Sequence, residues 1–166
     1  MGLRSSVAAI GVAAIIATGS MPAFAAGTPS FSNESATVGD QHDVTVVFTE
    51  SGLASSQTVT EGLRGRALDF YACYDRVGKR AGSRALVEWP SIQSGFQANA
   101  TGTIGSAAIT LSVLPQDVCP RGETSYLYKT VFGGLVLTDL TNGVSARVRG
   151  RSTSCSPADC VPPAHL

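Results

Sequence analysis

Charge is scarce in this sequence. Asp, Glu, Lys and Arg make up 14% of its 166 residues, against roughly 25% in ordinary soluble domains. Lys plus Arg and Asp plus Glu balance at 12 each. No bulk charge is available to hold a nucleic-acid backbone, or to keep the chain unfolded by self-repulsion. Histidine is scarcer still: His42 stands between Asp40 and Asp43, and His165 is the penultimate residue. With one serviceable histidine and no G-x-S-x-G elbow, a Ser-His-Asp triad lacks its parts, and His42 reads as a solvent-exposed residue at a strand start. There is no C-x-x-C, and neither histidine neighbours a cysteine, so no metal site is expected and no cofactor. The carboxylates open to glycoside hydrolysis are Glu50, Glu61, Asp69 and Glu88, and nothing in the sequence selects two of them. Asp69 lies in ALDFYACYD, where the reading is a wet strand face. No apolar run approaches 18 residues, so no membrane span is expected in the mature chain. Past the N-terminal segment, no ten-residue stretch carries a 3.6-residue period.

What is present begins with an export signal. Arg4 precedes the uncharged run VAAIGVAAIIA, and Ala23-Phe24-Ala25 forms an A-x-A cleavage site. The run is too short to cross a bilayer core of about 30 Å as a helix. Residues 1–25 are therefore expected to be removed, leaving a secreted chain that begins at Ala26, long enough to bury about two-thirds of its unfolded surface.

The remainder is a succession of short runs rich in Val, Thr, Phe and Tyr, punctuated by Gly, Ser, Asn and Pro. In HDVTVVFTE, Val44, Val46 and Phe48 point one way and Thr45 and Thr49 the other. AAITLSVL places Ile109, Leu111 and Val113 on one face, and VSARVR places Val144, Ala146 and Val148 together. Period two is the pattern of a strand with one wet face. Gln57–Leu63 and Arg66–Tyr74 read as one long strand broken at Gly62 and Gly65, with a bulge. Ala85–Trp89 is a short strand stopped by Pro90, and 95–103 a polar edge strand. Tyr126–Phe132 and Leu135–Asp139 flank Gly133-Gly134, a bend or a tight hairpin. Asn142-Gly143 is a hairpin turn. The expected core is Val46, Phe48, Ile109, Leu111, Val113, Leu135, Leu137, Ala146 and Val148. The fold class is all-β: an immunoglobulin-like antiparallel β-sandwich of seven to nine strands over residues 26–151. Residues 152–166 are expected to be an irregular tail with a local disulfide.

Four cysteines allow three pairings. Cys155 and Cys160 enclose only Ser-Pro-Ala-Asp and are the local pair, which leaves Cys73 with Cys119. In the chain-entropy picture the longer loop contributes about 4 kcal/mol and the shorter about 2.

Two basic segments stand out. Arg76, Lys79, Arg80 and Arg84 form the loop DRVGKRAGSR, and Arg147, Arg149 and Arg151 alternate along one face. Either is a solvated surface or a contact for an anionic polymer. Phe70, Tyr71, Tyr74, Trp89 and Phe96 cluster in sequence, and Tyr74 and Trp89 are candidates for a groove. Asn33-Glu34-Ser35 and Asn99-Ala100-Thr101 match the glycosylation sequon.

Ser51-Gly52-Leu53 after a VTVVFTE strand, YACYD around Cys73, NATGTIGSAAITLSV, VCPRGET around Cys119 and LVLTDLTNGV occur together between Val44 and Val144. This set resembles a family of small exported bacterial proteins without an assigned activity. The chain is also similar, more loosely, to neocarzinostatin-type apoproteins, immunoglobulin-like sandwiches with four cysteines and a C-x4-C pair. That similarity implies the fold, and it offers a small-ligand carrier as an alternative function. Here the C-x4-C pair stands at the chain end, and Cys73 and Cys119 lie farther apart than their counterparts. The expectation is a secreted, monomeric binding or structural module without catalytic activity. Its partner would be an extracellular protein, a glycan or a small ligand, held through Tyr74, Arg76, Arg80 and Trp89. A protease inhibitor or small hydrolase is the remaining alternative.

Overall fold

A computed structural model describes residues 27–150, 152–156 and 160–166. The expected leader with its cleavage site, Arg151 and residues 157–159 lie outside the described residues. The strands are β1 (Ser30–Val38), β2 (Asp43–Ser51), β3 (Thr58–Tyr74), β4 (Arg80–Glu88), β5 (Ser91–Gln97), β6 (Ile104–Ser112), β7 (Thr124–Asp139), β8 (Val144–Arg147) and β9 (Ser152–Cys155). No helix occurs among the described residues.

Period-two patterning makes two faces per strand, and the apolar faces bury one another. One sheet is β1-β2-β6. The other runs β4-β3-β7-β8, with β5 also on β3 and β9 also on β7. All pairs are antiparallel. The first, second and sixth strands thus form one sheet, and the third, seventh and eighth lie in the other, which is immunoglobulin-type connectivity. Between the sheets lie Val44, Val46, Phe48, Ile109 and Leu111 from the small sheet, and Leu63, Ala67, Tyr71, Phe132, Leu135 and Leu137 from the large one. Phe48 meets Phe31 and Phe96 edge-on, with ring centroids 5.7 and 5.6 Å away. Of the expected core, Ala146 alone is half-buried rather than buried.

The longest strands, β3 with 17 residues and β7 with 16, make one ladder. Both bend at the same level. The β3–β7 register shifts between Arg64 and Arg66, opposite Gly133 and Gly134. Gly65 is packed so closely that a Cβ there would sit 2.6 Å from Leu135 Cδ2. Gly133-Gly134 is thus a bend inside one strand and not a hairpin. Below the bend β3 pairs with β5 and β7 with β8; above it β3 pairs with β4 and β7 with β9. The break in β3 falls at Gly65 alone of the two expected glycines.

Both disulfides form as expected, Cys73–Cys119 and Cys155–Cys160. The expected irregular tail is a correction. Ser152–Cys155 is strand β9 on β7, and Ser154 Oγ donates to the Gly39 carbonyl at 2.5 Å and accepts from the His42 amide at 2.9 Å. Further along, His165 bridges Lys79, and the Leu166 amide donates to the Gly78 carbonyl. STSC has no apolar alternation, because its attachment is made by backbone and hydroxyl groups. The polar strand expected over 95–103 instead runs from Ser91 to Gln97. Asn99 ends it: its Oδ1 accepts from the amides of Thr101 and Thr103.

Leu111 is fully buried, while its neighbour Thr110 faces solvent and shares a hydroxyl contact of 2.8 Å with Thr45. Leu111→Ala is expected to cost about 2–5 kcal/mol, and Thr110→Ala about 1 kcal/mol or less. Urea unfolding measures both.

Candidate functional site

The four residues singled out from the sequence do not form one site. Tyr74 is fully buried: its hydroxyl donates to the Pro163 carbonyl at 2.5 Å and its ring meets Tyr126 edge-on at 6.2 Å. It ties the C-terminal segment to β3 and has no surface to offer a ligand, which corrects its placement in a groove with Trp89. Arg76 and Arg80 are exposed, in and just after the turn where Asp75 Oδ1 accepts from the Val77 and Lys79 amides. Trp89 follows β4 at its other end, about 30 Å from Arg80 at strand rise.

Trp89 has other company. Alternation along β3 turns Arg64, Arg66, Leu68 and Phe70 away from the core. The register places Ser91, Arg64, Val136 and Arg147 in one row across four strands, with Arg66 beside Gly133. Lys129 lies opposite Phe70, its Nζ 5.3 Å from the ring centroid. The outward strand positions of the large sheet thus carry Arg64, Arg66, Lys129 and Arg147 and no Asp or Glu. The chain leaves β4 through Trp89 and Pro90, and the Pro90 carbonyl accepts from the Gly65 amide at 3.2 Å. This hangs an indole, 74% exposed, over the glycine bend.

Two hollows meet under that indole. One, of about 350 Å³, is lined by Arg66, Leu68, Val131 and Gly133; the other, of about 430 Å³, by Arg64, Ser91 and Val136; Trp89 and Gly134 line both. A third of about 240 Å³ continues past Arg64 and Ser91 to Thr138 and Ser145. Gly133 and Gly134 have nothing within 4 Å of where a Cβ would stand, so two missing side chains deepen the trough.

The interior holds a second cluster. Glu50 is the penultimate residue of β2, Glu61 lies in β3 and Asp139 closes β7, all with no exposed surface. Glu61 and Asp139 are directly opposed in the ladder, and oxygens of all three carboxylates lie within 4.8 Å of one another. Asp139 is held by its turn: Oδ1 accepts from the Thr141 and Asn142 amides at 2.8 and 3.0 Å, and Oδ2 from Asn142 Nδ2 at 2.5 Å. The four oxygens of Glu50 and Glu61 receive no hydrogen bond from an amide, hydroxyl or cationic group and face only other carboxyls. Burial above all, then the neighbouring Glu61 carboxyl and Asp139, pushes Glu50 up to about 9. Burial raises Glu61 as well.

The sequence shows these acids without showing that they meet. Glu50 continues the inward series Val44, Val46, Phe48; Glu61 falls between Val59 and Leu63; Asp139 follows Leu135 and Leu137. The same period places Asp69 between Ala67 and Tyr71. Asp69 is fully buried, not on a wet face, and His42 is only 7% exposed, not a solvent-facing strand end. Thr130 Oγ1 donates to Asp69 Oδ1 at 2.7 Å and lies 3.4 Å from His42 Nδ1. Desolvation lowers the His42 pKa although Asp69 pulls it upward, and burial raises Asp69. Glu88, at the edge, accepts a hydrogen bond from Gln116 Nε2. Near Glu123, the Cys73 and Cys119 sulfurs are joined to each other and are not free to ligate.

Glu50 generates a pH dependence of a definite sign. Its folded pKa lies above the ordinary 4.5, so between about 4.5 and 9 the folded state holds a proton that the unfolded chain has already released. This contribution to stability is complete below 4.5 and is lost as pH rises through that window. In buffer free of divalent cations, the melting temperature of Glu50→Gln relative to the parent should rise steadily from pH 5 to pH 8. A constant offset in differential scanning calorimetry would mean that Glu50 is already ionised at pH 5.

No protein-family model, curated protein or solved structure matches this chain, so its functional reading rests on the geometry above.

Proposed function

We propose that the protein is a non-catalytic binding module that works outside the cytoplasm and holds an acidic glycan chain against the outer face of its large sheet. The observation that carries this reading is Trp89, 74% exposed beside Arg64 and Arg66 on a face whose strand positions hold no carboxylate. Exposed apolar groups rimmed by polar ones favour an interaction role, and Trp and Arg are the side chains that anchor such contacts. An indole offers a flat apolar surface for the face of a sugar ring. Guanidinium groups pair with carboxylate or sulfate through two parallel hydrogen bonds.

The trough is elongated, three hollows sharing lining residues, and this suits a chain better than a compact ligand. A small-molecule carrier would call for an enclosed apolar crevice. Action outside the cytoplasm accords with two disulfides and with the leader pattern of residues 1–25. The non-catalytic part of the reading draws on the placement of His42 and Asp69. They meet through Thr130 beneath the surface, where they link the residue before β2 to β3 and β7.

Trp89 is the only tryptophan, so its fluorescence reports on the trough alone. Titration with a uronic-acid or sulfated polysaccharide should shift its emission to shorter wavelength, and a neutral glucan should not. Followed by calorimetry, Trp89→Ala should weaken binding about tenfold or more, a loss of about 1.4 kcal/mol. Arg66→Ser should weaken it in low salt and lose its effect near 1 M salt. Equal response to the neutral glucan, or full affinity in Trp89→Ala, rules the reading out.

A further inference from the structure

The carboxylate cluster is independent of the trough and poses a separate chemical question. Two carboxylates facing each other in a ladder destabilise it, yet Glu61 and Asp139 are so placed, with Glu50 brought onto them from the other sheet. Burying a carboxylate without a partner is among the costliest events in folding. Here four carboxylate oxygens of fully buried side chains face only other carboxyls and receive no hydrogen bond from any amide, hydroxyl or cationic group. Asp139 is not a mere bystander of its own turn. The Thr141 and Asn142 amides fix its Oδ1 and the Asn142 side chain its Oδ2, which holds the carboxylate toward the two glutamates with acceptor capacity to spare.

The missing partner must be cationic or acidic, and it must reach three carboxylates at once. Among the described residues, only carboxyl groups act on Glu50 and Glu61, with no Lys, Arg or His. The donor set is all oxygen, which suits a hard cation and not zinc or copper. Among hard cations, Mg²⁺ retains several waters and demands near-octahedral geometry. Ca²⁺ accepts an irregular shell of six to eight oxygens, with carboxylates binding through one or both. A site sealed from solvent by three fully buried side chains favours the ion that sheds its water.

We infer that Glu50, Glu61 and Asp139 form a Ca²⁺ site between the two sheets. Glu50 belongs to β2 of the small sheet, and Glu61 and Asp139 to β3 and β7 of the large one. The ion therefore fastens one sheet to the other at the end of the sandwich where β7 turns into β8. The turn Leu140–Gly143, exposed along its length, follows Asp139 directly.

The test uses the unmodified, disulfide-bonded chain, stripped with chelator and desalted, and CaCl₂ alone as the probe. Calorimetric titration at pH 7.5 should show one ion per chain. Thermal scans should show the melting temperature rising by about 5 °C or more at 5 mM CaCl₂, with MgCl₂ producing less than half that shift. Glu50→Gln and Asp139→Asn should each abolish the Ca²⁺ response, while Asp117→Asn, at an exposed carboxylate, should keep it. The titration of the parent chain requires no variant to fold. Absence of heat and of any shift up to 10 mM CaCl₂ overturns the proposal in favour of a proton shared by the glutamates. An equal response to Mg²⁺, or one that survives in Glu50→Gln, overturns it in favour of weak surface binding.

Discussion

The ladder between β3 and β7 is the element on which the rest of the molecule hangs. Its register spans Glu61 to Tyr74 on one strand and Thr124 to Asp139 on the other, and every other strand of the large sheet attaches to one of these two. Strands this long do not stay flat, because right-handed twist accumulates along them. The glycines at 65, 133 and 134 bend both strands at one level, and a second register shift falls between Phe70 and Tyr71. That single bend decides the neighbours, since β5 and β8 flank the ladder on one side of it and β4 and β9 on the other. It also makes the trough, by leaving side chains out where Trp89 crosses. The buried polar groups are read from the same ladder: Asp69 opposes Thr130 midway along it, and Glu61 opposes Asp139 at one end.

Along the two central strands the ionic groups are sorted by face: Arg64, Arg66 and Lys129 point outward, and Glu61, Asp69 and Asp139 inward. The low proportion of charged residues makes the arrangement conspicuous, because the carboxylates in the core are a sizeable part of a small set. A core built only for stability would place Leu or Val at positions 50, 61, 69 and 139. Replacing buried ionic groups by apolar ones of similar volume is often neutral or stabilising. Retaining four acids there, three of them converging, makes sense when the group they hold contributes more than the apolar packing they displace.

Much of the fold was legible in the sequence, because it rests on alternation. Val44-x-Val46-x-Phe48 and Ile109-x-Leu111-x-Val113 announce strands and their inward faces directly. Cys155 and Cys160 are close enough in sequence to pair on length alone. What stayed hidden depends on partners remote in sequence. Asp69 and His42 look like surface residues by type, yet the inward period of β3 carries Asp69, and His42 is buried where Thr130 and Ser154 meet it. Tyr74 looks like a binding aromatic until Pro163, far along the chain, supplies its acceptor. The three carboxylates each obeyed the inward period, so their burial was written in the sequence. Their convergence was not, since it follows from which strand ends the topology brings together. Trp89 was recognised as a candidate, but its companions Arg64 and Arg66 lie on a neighbouring strand and not on the basic loop beside it in sequence.

The division of the large sheet at its bend has a bearing on how the molecule behaves at high concentration. An uninterrupted edge opposite β3 or β7 would present a long row of unpaired amides and carbonyls, a template for a second chain to join by strand addition. Instead each edge is made of two short strands laid end to end, β4 with β5 and β8 with β9, the last two only four residues each. Arg80, Arg84 and Arg147 stand on those edges, and β1, an edge of the smaller sheet, is interrupted by a register shift between Ser32 and Ser35 where Asn33 takes a φ of 57°. A fold whose regular structure among the described residues is strand alone thus offers a neighbouring copy few long, straight edges on which fibrillar growth could start.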